Sequence, residues 1–344
     1  MNIKTILDLL KETFAEWNKD KASRLAAALA YYTVFSLAPL LIIVIAIAGS
    51  VFGEEAARGE IVKQIQGLVG KDGAEFIQTA IQNASKPSEG TIASIISLVV
   101  LLFGATGVFA ELQDALNTVW EVQPKPGLGA MGFIRNRFLS FTMVLGIGFL
   151  LLVSLVLSAA LAALSNYFGH LVSGIDFFWQ LVNFILSFVI TTLLFGLIYK
   201  VLPDVKIAWS DVWIGAAITS VLFSIGRYLL GQYLGNSSFG STYGAAGSLV
   251  VVLFWVFYAA QILFFGAEFT QVYTRRYGSG IVPADYAVSV SEEARPEQGM
   301  NPNSNDRAGQ SSGNKPASRN FISRLFRLFT KPKRSKSRRN NRQP

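Results

Sequence analysis

"AAGSLVVVLFWVFYAAQILFFGAEFTQVYTRR", residues 245 to 276, decides the fold class. Its first part, 245–271, is apolar for about seven helical turns, and it holds one carboxylate, Glu268, a short way before Arg275 and Arg276. A helix needs about 20 such residues to cross the hydrocarbon layer of a bilayer. Five further runs of the same kind occupy 25–51, 92–113, 138–164, 177–199 and 212–234. Composition agrees, since 51% of the 344 residues are hydrophobic and 15% are charged, an imbalance unusual for a soluble domain. Lipid offers no hydrogen bonds to the backbone, so only helices and closed barrels span it, and barrel strands alternate every second residue, which these runs do not. The expected fold is all-α: a polytopic membrane protein with six transmembrane helices in residues 25–275.

The flanks have their own patterns. Residues 1–24 carry Ile3, Ile6, Leu7, Leu10, Phe14 and Trp17 at helical spacing between charges, which predicts an amphipathic helix lying in the interface. The same lysines argue against a cleaved signal peptide, so the first span is expected to stay as an anchor. Loop 52–90 has two helical patterns broken by Gly70 and Gly73, a helical hairpin on the outer face. Residues 276–344 read as a disordered tail, since 287–320 are too poor in large apolar residues to fold. The tail ends in a basic amphipathic segment, 321–344, in which Arg324, Arg327, Lys331, Lys333 and Arg334 suit an anionic lipid surface. Nucleic acid would also attract these charges, but no nucleic-acid-binding module accompanies them, and lipid is the expected partner.

Orientation follows from the short connections. Lys4, Lys11, Lys19, Lys21 and Arg24 precede the first run, Lys125, Arg135 and Arg137 lie between the second and third, and Lys200 and Lys206 between the fourth and fifth. Stretches 165–176 and 235–244 have no Lys or Arg. Positive charge is retained on the cytoplasmic side, so both termini are expected there.

The absence of cysteine removes disulfides and thiolate sites, and the single histidine, His170, has only Asp176 as a nearby acid, so neither metal nor cofactor is expected. Ionisable residues at membrane depth are costly and mark function or ion pairs. They are Glu268, Arg227, Glu111 and Asp114, with Arg24, Arg135 and Arg137 as candidate partners for Glu268. Two readings stay open for Glu268, a salt bridge locking helix ends and a proton- or solute-coupling site. Pro39, in the first run with Ser36 beside it, removes a backbone donor and kinks the helix, as a hinge or simply as a packing device. Tyr243, Gly244 and Gly247 open the last run, with Tyr258 and Gln261 further along. Close helix packing, also suggested by Gly231 and Gly235, competes here with an unwound substrate-facing segment over 235–248.

Three stretches, "ALAYYTVFSLAPLL", "YKVLPDVKIAWSDVWIGA" and "STYGAAGSLVVVLFWVFYAAQILFFGAEF", together resemble the YihY/BrkB family of bacterial inner-membrane proteins over residues 10 to 275. The resemblance implies six membrane helices with cytoplasmic termini. Members have been called virulence or serum-resistance factors, and many carry an old ribonuclease BN label. A ribonuclease needs clustered carboxylates or histidines, or a placed acid and base beside a cationic phosphate site. Glu111 and Asp114, one pair on one helix, do not meet that need, so no enzyme is expected. Two function classes remain: transport or export of a small solute or lipid-related molecule, and a non-transporting envelope scaffold that binds lipid or partner proteins.

Overall fold

A computed structural model describes residues 3–84, 91–126, 129–169, 176–235 and 245–290. Eight helices are present among them: α1 (Ile3–Lys19), α2 (Ala22–Phe52), α3 (Glu54–Ala84), α4 (Thr91–Val119), α5 (Gly129–Gly169), α6 (Asp176–Val201), α7 (Trp209–Gly235) and α8 (Ala245–Tyr277). Five contain segments long and apolar enough to cross a membrane: Ala22–Ser50, Val99–Val119, Phe178–Val201, Trp209–Gln232 and Gly247–Tyr277. The run expected at 138–164 lies inside α5, a 41-residue helix whose described apolar segment is Phe138–Leu150.

The outside of the bundle is as apolar as the inside. Phe138, Tyr228, Phe35, Val100, Phe149 and Phe184 are all more than half exposed. Water would penalise such a surface, whereas lipid tails accept it. Inside, two apolar clusters divide the bundle by level. One gathers Ala26, Leu116, Trp120, Tyr199, Leu202 and Phe264, and the other gathers Leu41, Val44, Ile61, Val69, Ile81 and Val252. The second is where α3 packs into the bundle, so the patterning of loop 52–90 is realised as buried structure. Its break falls at Gly70, whose φ of 78° and ψ of 179° a side-chain-bearing residue rarely adopts.

At the opposite level lies a small collar, not anticipated by an all-α reading. Strand β1 (Val122–Pro124) pairs antiparallel with β4 (Ala287–Ser289), and β2 (Val205–Lys206) pairs with β3 (Val282–Pro283). The part expected to be disordered from 276 is therefore ordered through Val290. Helix α8 runs to Tyr277, and residues up to Val290 are tied by backbone bonds, including Ala284 N–H to the Asp204 carbonyl at 2.9 Å and Val290 N–H to Glu121 at 2.8 Å. The connections after α4 and α6 carry backbone groups that the helices cannot satisfy, and the returning chain supplies them. Residues 291–344, with Arg324, Arg327, Lys331, Lys333 and Arg334, lie outside the described residues.

Helix α1 docks on the end of α8. Leu9 is fully buried with Phe269 and Val272, while Ile6, Leu7, Leu10 and Phe14 stay exposed as an apolar strip. Arg275 donates to Glu12 at 2.6 Å and to Glu16 at 3.2 Å, and Arg276 also pairs with Glu12. A left-handed Lys21 (φ 52°, ψ 43°) then turns the chain into α2. Burial works against the Glu16 charge, but Lys19 and Arg275 overcome it and hold this carboxyl below the ordinary glutamate range. A depressed folded value means the stabilisation is complete above the unfolded value of about 4.3 and fades as pH falls through the folded one. Amide exchange across residues 3–19 should thus accelerate on acidification below about pH 4, ahead of α4 or α6. Unchanged protection down to about pH 3 would remove this ion-pair account.

Candidate functional site

Polar chemistry concentrates at both levels of the bundle, and the two sites differ in kind.

At the collar, Asp204 is fully buried. Its carboxylate accepts from Gln113 Nε2, Asn117 Nδ2 and Arg135 Nη2, each at 3.0 Å, and its own N–H donates to Asn117 Oδ1 at 2.8 Å. Gln113 and Asn117 sit four apart on α4, so one helix face delivers both amides. The Arg135 guanidinium lies over the Tyr286 ring, which the β1–β4 pairing brings there. Burial, then the Asp204 charge, push the Tyr286 hydroxyl above its ordinary range, against the opposing Arg135 charge. Beside it, Lys206 holds the exposed Asp285 carboxyl below its usual range through a direct bond of 2.6 Å. A buried carboxylate with this many donors is a latch: it ties α4, α5, the α6–α7 connection and the returning chain together.

Towards the other level, a cavity of about 550 Å³ opens among α3, α5, α6 and α7. Asn183, Ser187 and Thr191 line it from α6 at a spacing of four, which puts them on one helix face. Glu60 and Gln64 come from α3, and Arg227 from α7. Arg227 is exposed and forms no ion pair among the described residues. At 1.5 Å per residue it stands about 27 Å along α7 from Trp209, so the charge is far from the collar. A second, laterally open cavity of about 1080 Å³ shares Arg227, Ser224, Phe184 and Phe188 with the first, and Val221, Ile225 and Tyr228 continue it along the exposed side of α7.

The expected site residues do not converge on one place. Glu268 is fully buried on α8. Of its candidate partners, Arg135 bonds Asp204, Arg24 is exposed at the start of α2, and the Arg137 side chain lies outside the described ones. Glu111 is half-buried and Asp114 exposed; Glu111 precedes the two latch amides on α4, and Asp114 stands between them in the chain. Pro39 packs against α4: a methyl built on Gly104 would meet its ring at 3.0 Å, and one on Gly107 would meet Ser36 Oγ at 3.2 Å. Pro39 and Ser36 thus lie at a close approach of α2 and α4. Tyr258 packs on Gly226 of α7, Gln261 is half-buried, and Gly247 is buried. Tyr243 and Gly244 fall outside the described residues. The close approach expected at Gly231 is realised at Gly226 instead, since nothing lies within 4 Å of a methyl placed on Gly231. Asp204 was missed because ionisable residues were sought inside the apolar runs, and this one stands in a connection, in "LPDVKI". Tyr286 lay beyond the boundary set for the folded part.

Long apolar helices wrapped in an apolar exterior, with the described charged residues gathered mainly towards the ends and at a polar cavity, define an integral membrane protein. The chain belongs to the BrkB family: the family model described as "Virulence factor BrkB" matches residues 13–287. It is 25% identical to a UPF0761 membrane protein of Mannheimia succiniciproducens over 78% of this chain and 91% of that one. It is 24% identical to UPF0761 membrane proteins of Acinetobacter baylyi and of a Psychrobacter species, over 79% and 83% of this chain. It spans 63% and 52% of the length of those two relatives. No solved structure matches the chain.

Proposed function

We propose that the protein is a transport protein of the bacterial inner membrane that moves a small solute or lipid-related molecule by way of the Arg227 cavity. In this reading α5 supplies the sixth span, both termini are cytoplasmic, and the cavity lies in the outer half. The length of α5 and the lysines and arginines gathered at the collar support that placement. The protein then works by moving its ligand, not by catalysing a reaction on it.

One observation carries the reading: an arginine far along a membrane helix, unpaired among the described residues, faces a cavity lined by hydroxyls and amides. A guanidinium in that setting is costly unless it serves a ligand or a water-filled path. The Asp204 latch then holds the collar end while the other end works. The test is flux from proteoliposomes across a panel of anionic metabolites and labelled lipids. Arg227→Ala should cut flux of the transported species by about tenfold or more, with Arg227→Lys keeping part of it. Equal flux in wild type and Arg227→Ala would refute the role of this cavity.

A further inference from the structure

The two cavities meeting at Arg227 differ in chemistry, and that difference specifies a ligand. The first sets Asn183, Ser187, Thr191, Gln64 and an acid, Glu60, among apolar residues such as Leu186 and Ile190, while the groove beyond Arg227 is lined mainly by Val221, Ile225, Tyr228 and the shared Phe184, with Gln232, and opens sideways. Val221, Ile225, Tyr228 and Phe184 are exposed on the surface that faces lipid tails. At about 1080 Å³ the groove alone already matches or exceeds the roughly 300–1,000 Å³ of small-molecule sites, and its walls are mostly apolar.

Order along the path is informative. Moving inward from the lipid side, a ligand meets mainly apolar walls first, then Arg227 where the cavities join, then amides, hydroxyls and Glu60, the one cation and the one anion among the described lining residues. A phospholipid carries its parts in the same order: acyl chains, phosphate, then the distal headgroup. A cavity that pairs one positive with one negative side chain best complements a headgroup bearing both charges.

We propose that the joined cavities bind one glycerophospholipid with an amine-bearing headgroup. Its phosphate lies at Arg227, its ammonium group towards Glu60 among the amides, and its acyl chains in the groove along Val221, Ile225 and Tyr228. Arginine suits the phosphate because its fork donates two parallel hydrogen bonds. This deepens the transport reading and rests on it for its biological sense, but lipid occupancy can be measured separately from flux.

The full-length protein, purified in detergent, is offered equal amounts of phosphatidylethanolamine and phosphatidylglycerol, and retained lipid is counted by native mass spectrometry. The same preparations are reconstituted to measure translocation of the labelled lipids. Wild type should retain the ethanolamine lipid preferentially. Arg227→Ala should lose about tenfold or more of the retention of both lipids, and Arg227→Lys should recover part. Glu60→Gln should abolish the preference while phosphatidylglycerol binding persists. Unfolding temperatures of each variant, expected to match wild type because both side chains are partly or fully exposed, separate lost binding from lost folding. Equal retention by wild type and Arg227→Ala would overturn the site. An ethanolamine preference untouched in Glu60→Gln would overturn the headgroup assignment. Soluble glycerophosphoethanolamine should compete poorly, and competition equal to the intact lipid would overturn the role of the groove. Retention without translocation would leave the lipid site standing and remove the transport reading, whereas flux of a water-soluble anion without lipid retention would do the reverse.

Discussion

Replacing Asp204 with alanine should lower the stability of the folded bundle by about 3 to 5 kcal/mol, the usual cost of removing one partner of a buried pair and stranding the other. Three donors lose their acceptor at once: Gln113, Asn117 and Arg135. Because about 29% of the Arg135 side chain remains exposed, water can recover part of its charge. The two amides, both at most 5% exposed, have no such relief. The measurement is the unfolding temperature in detergent, read with amide exchange at Val122–Pro124 and Ala287–Ser289, since Arg135 also lies over Tyr286, next to the second of these strands. Asp204→Asn keeps the shape and one acceptor oxygen and should fall between. Adding Arg135→Met to Asp204→Ala should restore part of the loss, because the stranded cation goes with it. A stable Asp204→Ala protein with protected collar strands would show that the strand pairs, and not the carboxylate, close this end.

The membrane helices were legible in the sequence because a span writes itself as a long uniform run, and "AAGSLVVVLFWVFYAAQILFFGAEFTQ" needs no partner to be recognised. The hairpin-like patterning in 52–90 was legible for the same reason, as Ile61, Val69, Ile77 and Ile81 recur at helical spacing and are buried. What could not be read was anything built from residues distant in the chain. Asp204 meets Gln113 and Asn117 across separations of 91 and 87 residues, and Tyr286 reaches it only through the β1–β4 pair. Strands of two or three residues have no periodicity to detect. The candidate site was half legible. Arg227 stood out as a charge inside an apolar run, but Asn183, Ser187 and Thr191 read as ordinary polar residues until the fold set them on one face beside it. Glu60 is one of several acids in 52–90, and nothing in the sequence sets it apart from the others. Glu268, which announced itself most loudly, is buried near the collar, and its neighbour Thr270 serves packing.

That packing yields the second large effect, at Gly266. Helices α7 and α8 are joined by a reciprocal fit: Gly215 of α7 faces Thr270 of α8, and Gly266 of α8 faces Thr219 of α7. A methyl group built on either glycine overlaps the opposing threonine hydroxyl, and at Gly266 it would also lie 2.6 Å from the Tyr199 hydroxyl. None of these atoms can step aside at low cost. Thr219 Oγ1 donates to the Gly215 carbonyl at 2.7 Å, Thr270 Oγ1 to the Gly266 carbonyl at 2.6 Å, and Tyr199 to the Leu263 carbonyl at 2.7 Å. All three side chains are fully buried. In lipid, where helix association depends on close contact and not on escape from water, pushing these helices apart removes the interaction that joins them. Gly266→Ala should therefore cost about 1 to 3 kcal/mol, the range for overpacking a filled interior, and Gly266→Val more. Gly231→Ala is the control: with nothing within 4 Å of the new methyl, helix propensity alone should raise stability by about 0.5 to 1 kcal/mol. Thr219→Ala added to Gly266→Ala should recover only part, because the tyrosine hydroxyl still blocks the methyl. Equal unfolding temperatures for Gly266→Ala and Gly231→Ala would mean that α7 and α8 have room to separate, and the reciprocal fit would lose its claim to hold the bundle.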